Sequence, residues 1–432
     1  MFKKILGTGF TRGLNTLCSA VTLWLGANYL GAAEWGIAAL VQLDVSLLLI
    51  GVELLAGSGL VYYTPRKKAS TLMAVSYSWI IVIMVFYTLL FFIFRRFDFF
   101  HNIVPEGYER LTLLMVFVYS FHNFNMNFLL GKEKVGLFNW VFAVQFLTQF
   151  CTFLLFIFFF QFNDARGLLY SMLLGYIAGT VMGSIALLRQ VKWEKPCPLL
   201  PVAKELLNYG GIIQLSTLVH ILNRRLSAYF LKSNWDYKTV GVYTSGTQIS
   251  EGVKLVGHSI SLVQFSSISN TDDEALAARL TVRFMKISVL LTIVVMAVFC
   301  ILPVSFYEWI FTKEFSQIKQ VILLLAPGIV MLSANTIFSH YFSGTDRPKY
   351  NLFASLIGLA VTIPCVAFMI PRWGIAGAAV SATVTYIVTV AYQWMVFHRI
   401  TRIKLRSFIP DKDDWHWTKQ EFKGMLGRGK KH

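Results

Sequence analysis

Twelve runs of about 20 predominantly apolar residues, separated by charged or Pro/Gly-rich breaks, occupy most of this chain. A helix of that length crosses the ~30 Å hydrocarbon core of a bilayer. There every backbone polar group must find its partner within the protein, which leaves helices or closed barrels. The runs fall near 8–30, 36–61, 71–94, 108–130, 136–160, 167–189, 206–231, 238–265, 281–303, 317–343, 350–370 and 374–398. They predict an all-α polytopic membrane protein of about 12 transmembrane helices.

Charge sets the orientation. Of 39 lysines and arginines, 26 fall on the side that holds the N-terminus, the Arg66–Lys67–Lys68 run and the C-terminal tail; nine fall on the other. Positive charge accumulates on cytoplasmic loops, so both termini are predicted to be cytoplasmic. The formal charge of +17 is then an orientation signal and needs no nucleic acid. The basic start MFKKILGTGFTRGLN is interrupted by Arg12 and Asn15, so it reads as the first permanent span rather than a cleaved signal. Five scattered cysteines lack metal-ligand or disulfide-framework spacing, and neither a metal nor a cofactor is expected.

Segments half a chain apart resemble one another. GAAEWGIAALVQLD lies beside WDYKTVGVYTSGTQIS with Gly36 on Gly241, and LLGKEKVGLFN beside FSGTDRPKYN with Asn139 on Asn351. The span opening at Gly167 lies beside the one opening at Gly374. The expected organisation is two pseudo-symmetric six-helix bundles around a central cavity, residues 1–197 and 198–398. A basic tail, 399–432, follows, and it reads as an interfacial amphipathic helix or a solvated positive-inside extension. Duplicated halves of this kind are typical of secondary transporters, with the substrate path between the repeats.

Polar residues recur at helical spacing inside the spans. Thr8, Arg12, Asn15, Ser19 and Thr22 share one face of the first span; Thr217, His220, Arg224 and Ser227 share one of the seventh. The eighth carries Thr247, Glu251, Lys254 and His258, the fourth Ser120, Asn123 and Asn127, and the second Gln42, Ser46 and Glu53 with Asp44 roughly opposite. Ser and Thr alone read as packing glue between helices. Charged groups at bilayer depth cost about 2.5–3.5 kcal/mol each and persist where they line a polar cavity or pair. Arg12, Lys254, Arg224, Arg225, Asn15, Asn123 and His220 are therefore the candidate substrate-binding residues of a cationic cavity. Snorkelling to the interface is the competing reading for Arg224 and Arg225, and a local salt bridge for Glu251 and Lys254. Guanidinium groups suit phosphate and carboxylate oxygens, so an anionic substrate is favoured. Glu251, Glu53 and Asp44 are candidate ion-coupling carboxylates, for H+ or Na+. Walker A, GxSxG and HExxH patterns are absent, so a nucleotide-driven or hydrolytic activity is not expected.

The opening LGANYLGAAEWGIAALVQL, the half-repeat LNRRLSAYFL…VGVYTSGTQISEGVK, the loop YFSGTDRPKYN and the closing PRWGIAGAAVSATVTYIV resemble bacterial oligosaccharide flippases. These form the Wzx-like polysaccharide branch of the multidrug/oligosaccharidyl-lipid/polysaccharide (MOP) exporter superfamily. The resemblance covers residues 5–398. It implies translocation of undecaprenyl-diphosphate-linked sugar repeat units across the bacterial inner membrane by alternating access, for O-antigen, capsule or exopolysaccharide. Membrane lipids and polysaccharide polymerase machinery are the implied partners. It also implies that Arg12 and the Arg224–Arg225 pair contribute to a cationic cavity. Where many relatives carry an acidic residue on the seventh span this chain has Ser227, which departs from carboxylate coupling there. A multidrug or other lipid exporter of the same superfamily, and a membrane-embedded polymerase or ligase, are the alternatives.

Overall fold

The computed structural model describes residues 2–189, 191, 198–253, 264, 268 and 273–408, and the side chains of these except 2–10, 98 and 99. Lys254, His258 and the tail beyond residue 408 lie outside them. The described elements are all helical. They are α1 Phe2–Leu25, α2 Gly31–Ala56, α3 Gly59–Tyr63, α4 Ala69–Phe94, α5 Asp98–Ile103, α6 Glu109–Gly131, α7 Val135–Phe158 and α8 Ala165–Leu188. Then follow α9 Leu199–Asn234, α10 Tyr237–Gly252, α11 Glu274–Ile301, α12 Val304–Phe311, α13 Ile318–Gly344 and α14 Lys349–Thr401.

Among the described residues, eight helical stretches are long and apolar enough to cross a bilayer. Two of these, Thr11–Tyr63 and Lys349–Thr401, are 53 residues long. At ~1.5 Å per residue each is twice the length that a bilayer needs, so each holds two crossings. The first doubles through a five-residue π-turn, Gly26–Leu30, and the positive φ of Gly31. The second does so at Gly374, whose φ of 52° and ψ of −124° break the helix without a loop. Helix α9 falls outside the apolar set because polar residues such as His220, Arg224 and Arg225 interrupt it, and the 16 described residues of α10 are too few to be counted. The chain is a multi-pass, all-α membrane protein.

The internal duplication is written in the turns. Left-handed residues recur in pairs: Gly107 and Thr312, 205 apart; Glu133 and Asp346, 213 apart; Gln161 and Gly374, also 213 apart. The second pair closes two copies of one helix C-cap. Lys134 N–H reaches Leu129 O (3.0 Å) and Arg347 N–H reaches Phe342 O (2.7 Å), each five residues back. The turn equivalent to Gly374 is thus at Gln161, six residues before the Gly167 that sequence similarity aligns with it.

The helices divide into two compact units. The first comprises residues 1–245 with 303–318 and 366–378. At its centre α2 packs against α4, α6, α8 and α9, and α7 joins α8 to α1. One end is capped by the two late segments. Asn28 donates to Ile310 O (2.7 Å), Ala32 N–H donates to Glu314 Oε2 (2.9 Å), and Trp235 Nε1 donates to Ile370 O (3.1 Å). Glu34 accepts from Ala165 N–H at the start of α8 (2.8 Å), as a carboxylate at a helix N-terminus should.

The second unit comprises 246–302, 319–365 and the residues from 379 onward. Its core gathers Met285, Phe338, Tyr341, Phe342 and Phe397. Serine, threonine and amide pairs tie its helices: Ser288 to Ser333 (2.7 Å), Thr362 to Thr385 (2.9 Å) and Asn335 to Gln393 (3.0 Å). Short polar links replace the hydrophobic drive that lipid cannot supply between helices.

Candidate functional site

The polar chemistry of the first unit is concentrated where α2 runs antiparallel to α9. Asp44 is 3% exposed, and its Oδ1 accepts a hydrogen bond from the Tyr229 hydroxyl at 2.5 Å. Its Oδ2 has no hydrogen-bond partner among the described residues. Nine residues on, Glu53 accepts from two amides: Gln214 Nε2 on α9 at 3.0 Å, and Asn123 Nδ2 on α6. Asn123 is itself held by Asn127, which donates to its carbonyl (3.0 Å) and to its Oδ1 (3.1 Å). Both carboxylates therefore face neutral donors, and no cationic side chain among the described residues stands within salt-bridge distance of either. Helix α2 is also anchored to α4 by backbone-directed bonds. Ser76 donates to Leu55 O, Trp79 to Gly51 O and Tyr87 to Leu48 O, all from α4 at 2.7–2.9 Å.

The cationic candidates lie elsewhere. Arg224 and Arg225 are half-buried on α9, and Arg224 Nη1 lies 3.4 Å from Nε2 of exposed His220, one turn earlier. Arg12 is exposed and Asn15 half-buried on α1, whose neighbour is α7. Glu251 is half-buried on α10, in the second unit. Asn123 thus joins the carboxylate cluster rather than the arginines. Sequence reasoning missed Gln214 and Tyr229, the partners of Glu53 and Asp44. Their only signal was a polar or amphipathic residue interrupting an apolar face of α9.

A second polar seam joins α6 and α8. Asn125 donates to Thr180 O (3.2 Å) and Ser184 Oγ (3.0 Å), while buried His122 lies beside the stacked rings of Tyr119 and Tyr176, 4.3 Å apart. It holds one bundle together, so it is structural.

This helical membrane protein shares its fold with solved MOP superfamily transporters. It resembles the lipid II flippase MurJ in an inward closed conformation, with TM-score 0.70 and 15% identity over 95% of this chain and 89% of that one. It likewise resembles an inward-facing multidrug resistance MATE family transporter (0.67, 16%, 90% and 96%) and the Vibrio cholerae MATE transporter VcmN in its bent form (0.58, 14%, 93% and 97%). No curated protein sequence matches significantly. The chain belongs to the polysaccharide biosynthesis protein family, whose model matches residues 27–320.

Proposed function

We propose that this protein is a flippase that moves undecaprenyl-diphosphate-linked oligosaccharide repeat units from the cytoplasmic to the periplasmic leaflet of the bacterial inner membrane. It works by alternating access, for O-antigen, capsule or exopolysaccharide assembly. The observation that carries this reading is the coincidence of polysaccharide-biosynthesis family membership over 27–320 with a flippase and exporter fold over nearly the whole chain. It is a transporter in this reading, not a polymerase or ligase. Arg12, Arg224, Arg225 and Lys254 supply donors for the diphosphate oxygens, with His220 and Asn15 beside them. The carboxylates Asp44 and Glu53, with Glu251, are the candidates to bind H+ or Na+.

Helix α9 makes a coupling route from these parts. It carries Arg224 and also holds Tyr229 and Gln214, the partners of Asp44 and Glu53. Protonating or metallating either carboxylate changes what it can accept from α9, and so biases the helix that bears the arginine. The test is export of surface polysaccharide by a deletion strain carrying Arg12→Ala with Lys254→Ala. Export is lost while the protein still inserts; normal export removes the cavity assignment. Multidrug export is the second reading, supported by the MATE likeness. A drug-sensitivity panel on the deletion strain shifts only under that reading.

A further inference from the structure

The segment VYYTPRKK after the end of α2 is used by none of the chemistry above. Tyr62 stacks on Tyr209 of α9 with ring centroids 5.0 Å apart and planes 17° from parallel. Tyr63 meets both edge-on, at 5.0 and 5.9 Å. The Arg66 guanidinium lies 3.8 Å from the Tyr62 ring centroid, and Lys67 pairs with Glu205 of α9 at 2.8 Å. Despite these contacts, Tyr62 keeps 42% and Tyr209 39% of its surface exposed. The charge distribution assigns this end of the helices to the cytoplasm.

The direction in which the cluster opens is set by helical phase. Tyr209, Ser216, His220 and Arg224 follow one another at steps of 7, 4 and 4, so they share a face of α9. The tyrosines stand at the cytoplasmic end of the polar stripe that leads, over about 22 Å, to Arg224. An aromatic belt that only anchors helix ends to lipid headgroups has no reason to continue such a stripe. Partly exposed tyrosine rings, one of them covered by a guanidinium and the group flanked by an ammonium and a carboxylate, match a pyranose ring. The ring's C–H face packs on the aromatic π-surface, and its hydroxyls need donors and acceptors at the edge.

We propose that Tyr62, Tyr63 and Tyr209, with Arg66, Lys67 and Glu205, form a sugar-docking platform at the cytoplasmic mouth of the transport path. It receives a pyranose unit of the lipid-linked oligosaccharide. The assignment of that ligand rests on the flippase reading. The platform itself sets which glycans load.

The experiment uses the full-length protein in nanodiscs and three probes. These are the undecaprenyl-diphosphate-linked oligosaccharide extracted from the producing cell, undecaprenyl diphosphate alone, and the glycan released by mild acid. Tyr62→Ala with Tyr209→Ala is expected to weaken binding of the two glycan-bearing probes about tenfold and to leave undecaprenyl diphosphate unchanged. Tyr62→Phe with Tyr209→Phe keeps the faces and retains binding. Equal loss for undecaprenyl diphosphate, unaltered glycan binding in the alanine variant, or no glycan binding by the native protein overturns the platform. Tyrosine-dependent glycan binding without translocation in proteoliposomes leaves the platform standing and removes the flippase reading instead.

Discussion

Gly36 of α2 and Gly241 of α10 hold equivalent places in the two repeats, and they pack against each other. A Cβ on Gly36 would lie 1.9 Å from Tyr237 O; one on Gly241 would lie 1.8 Å from Ala32 O. Tyr237 and Ala32 are themselves 205 residues apart, as the two glycines are. A contact in which i meets the equivalent of j, and j the equivalent of i, arises only beside a two-fold axis. A local pseudo-two-fold axis therefore passes between these glycines. A backbone crossing this close admits no side chain from either helix.

Gly36→Ala and Gly241→Ala should each destabilise the detergent-purified protein by about 1–3 kcal/mol, the range for overpacking a filled site. Gly13→Ala is the control, because nothing lies within 4 Å of its Cβ position. Thermal unfolding should separate the first two from the third.

Glu53→Ala removes the acceptor of Gln214 and Asn123 and leaves two inward-facing amides short of a partner, a cost of about 1–3 kcal/mol. Glu53→Gln keeps an acceptor oxygen and should preserve most of the stability. If Glu53 binds the coupling ion, the Gln variant still inserts but loses the dependence of transport on the imposed proton or sodium gradient. Gradient-driven transport at the native rate would exclude it.

Asp44→Asn tests the other carboxylate in the same way, with a structural internal check. Asparagine retains an acceptor for the Tyr229 hydroxyl, whereas Tyr229→Phe leaves both Asp44 oxygens without a partner among the described residues. The Phe variant should therefore be the less stable of the two, read by thermal unfolding at neutral pH.

Asp236 lies outside the spans, in the link from α9 to α10, where its carboxylate accepts from Thr239 N–H at 2.7 Å. Hydrogen bonding from the Thr239 side chain and then its backbone, helped by Lys238 and Lys232, holds the Asp236 pKa below the ordinary carboxylate value. A depressed folded-state pKa gives stability that is present above the unfolded value of about 3.9 and lost as pH falls through the lower folded one. Asp236→Ala should cost about 0.5–2 kcal/mol at pH 7, as for other helix N-terminal caps. The difference from the native protein should shrink as the medium becomes strongly acidic.

The spans were legible because hydrophobic length is a local property, and so was the duplication, because Gly36 and Gly241 sit in recognisable surroundings. The turns were not. Gln161 and Gly374 share a left-handed conformation although their residue types differ, and similarity drew the alignment to Gly167 instead. The presence of Glu53 and Asp44 could be read from the chain, but their partners could not. Gln214 and Tyr229 are 161 and 185 residues away, brought in by the antiparallel packing of α9 on α2. The tyrosine platform left a faint trace, a YY pair followed by basic residues, and acquired meaning only when Tyr209 arrived from α9.

The most direct measurement is translocation by the purified full-length protein in proteoliposomes. The probe is the producing cell's undecaprenyl-diphosphate-linked oligosaccharide, followed by accessibility of its glycan on the far leaflet. The account predicts protein-dependent appearance of the glycan there, lost with Arg12→Ala and Lys254→Ala together. Transfer no faster than in protein-free vesicles, under either a proton or a sodium gradient, would contradict it.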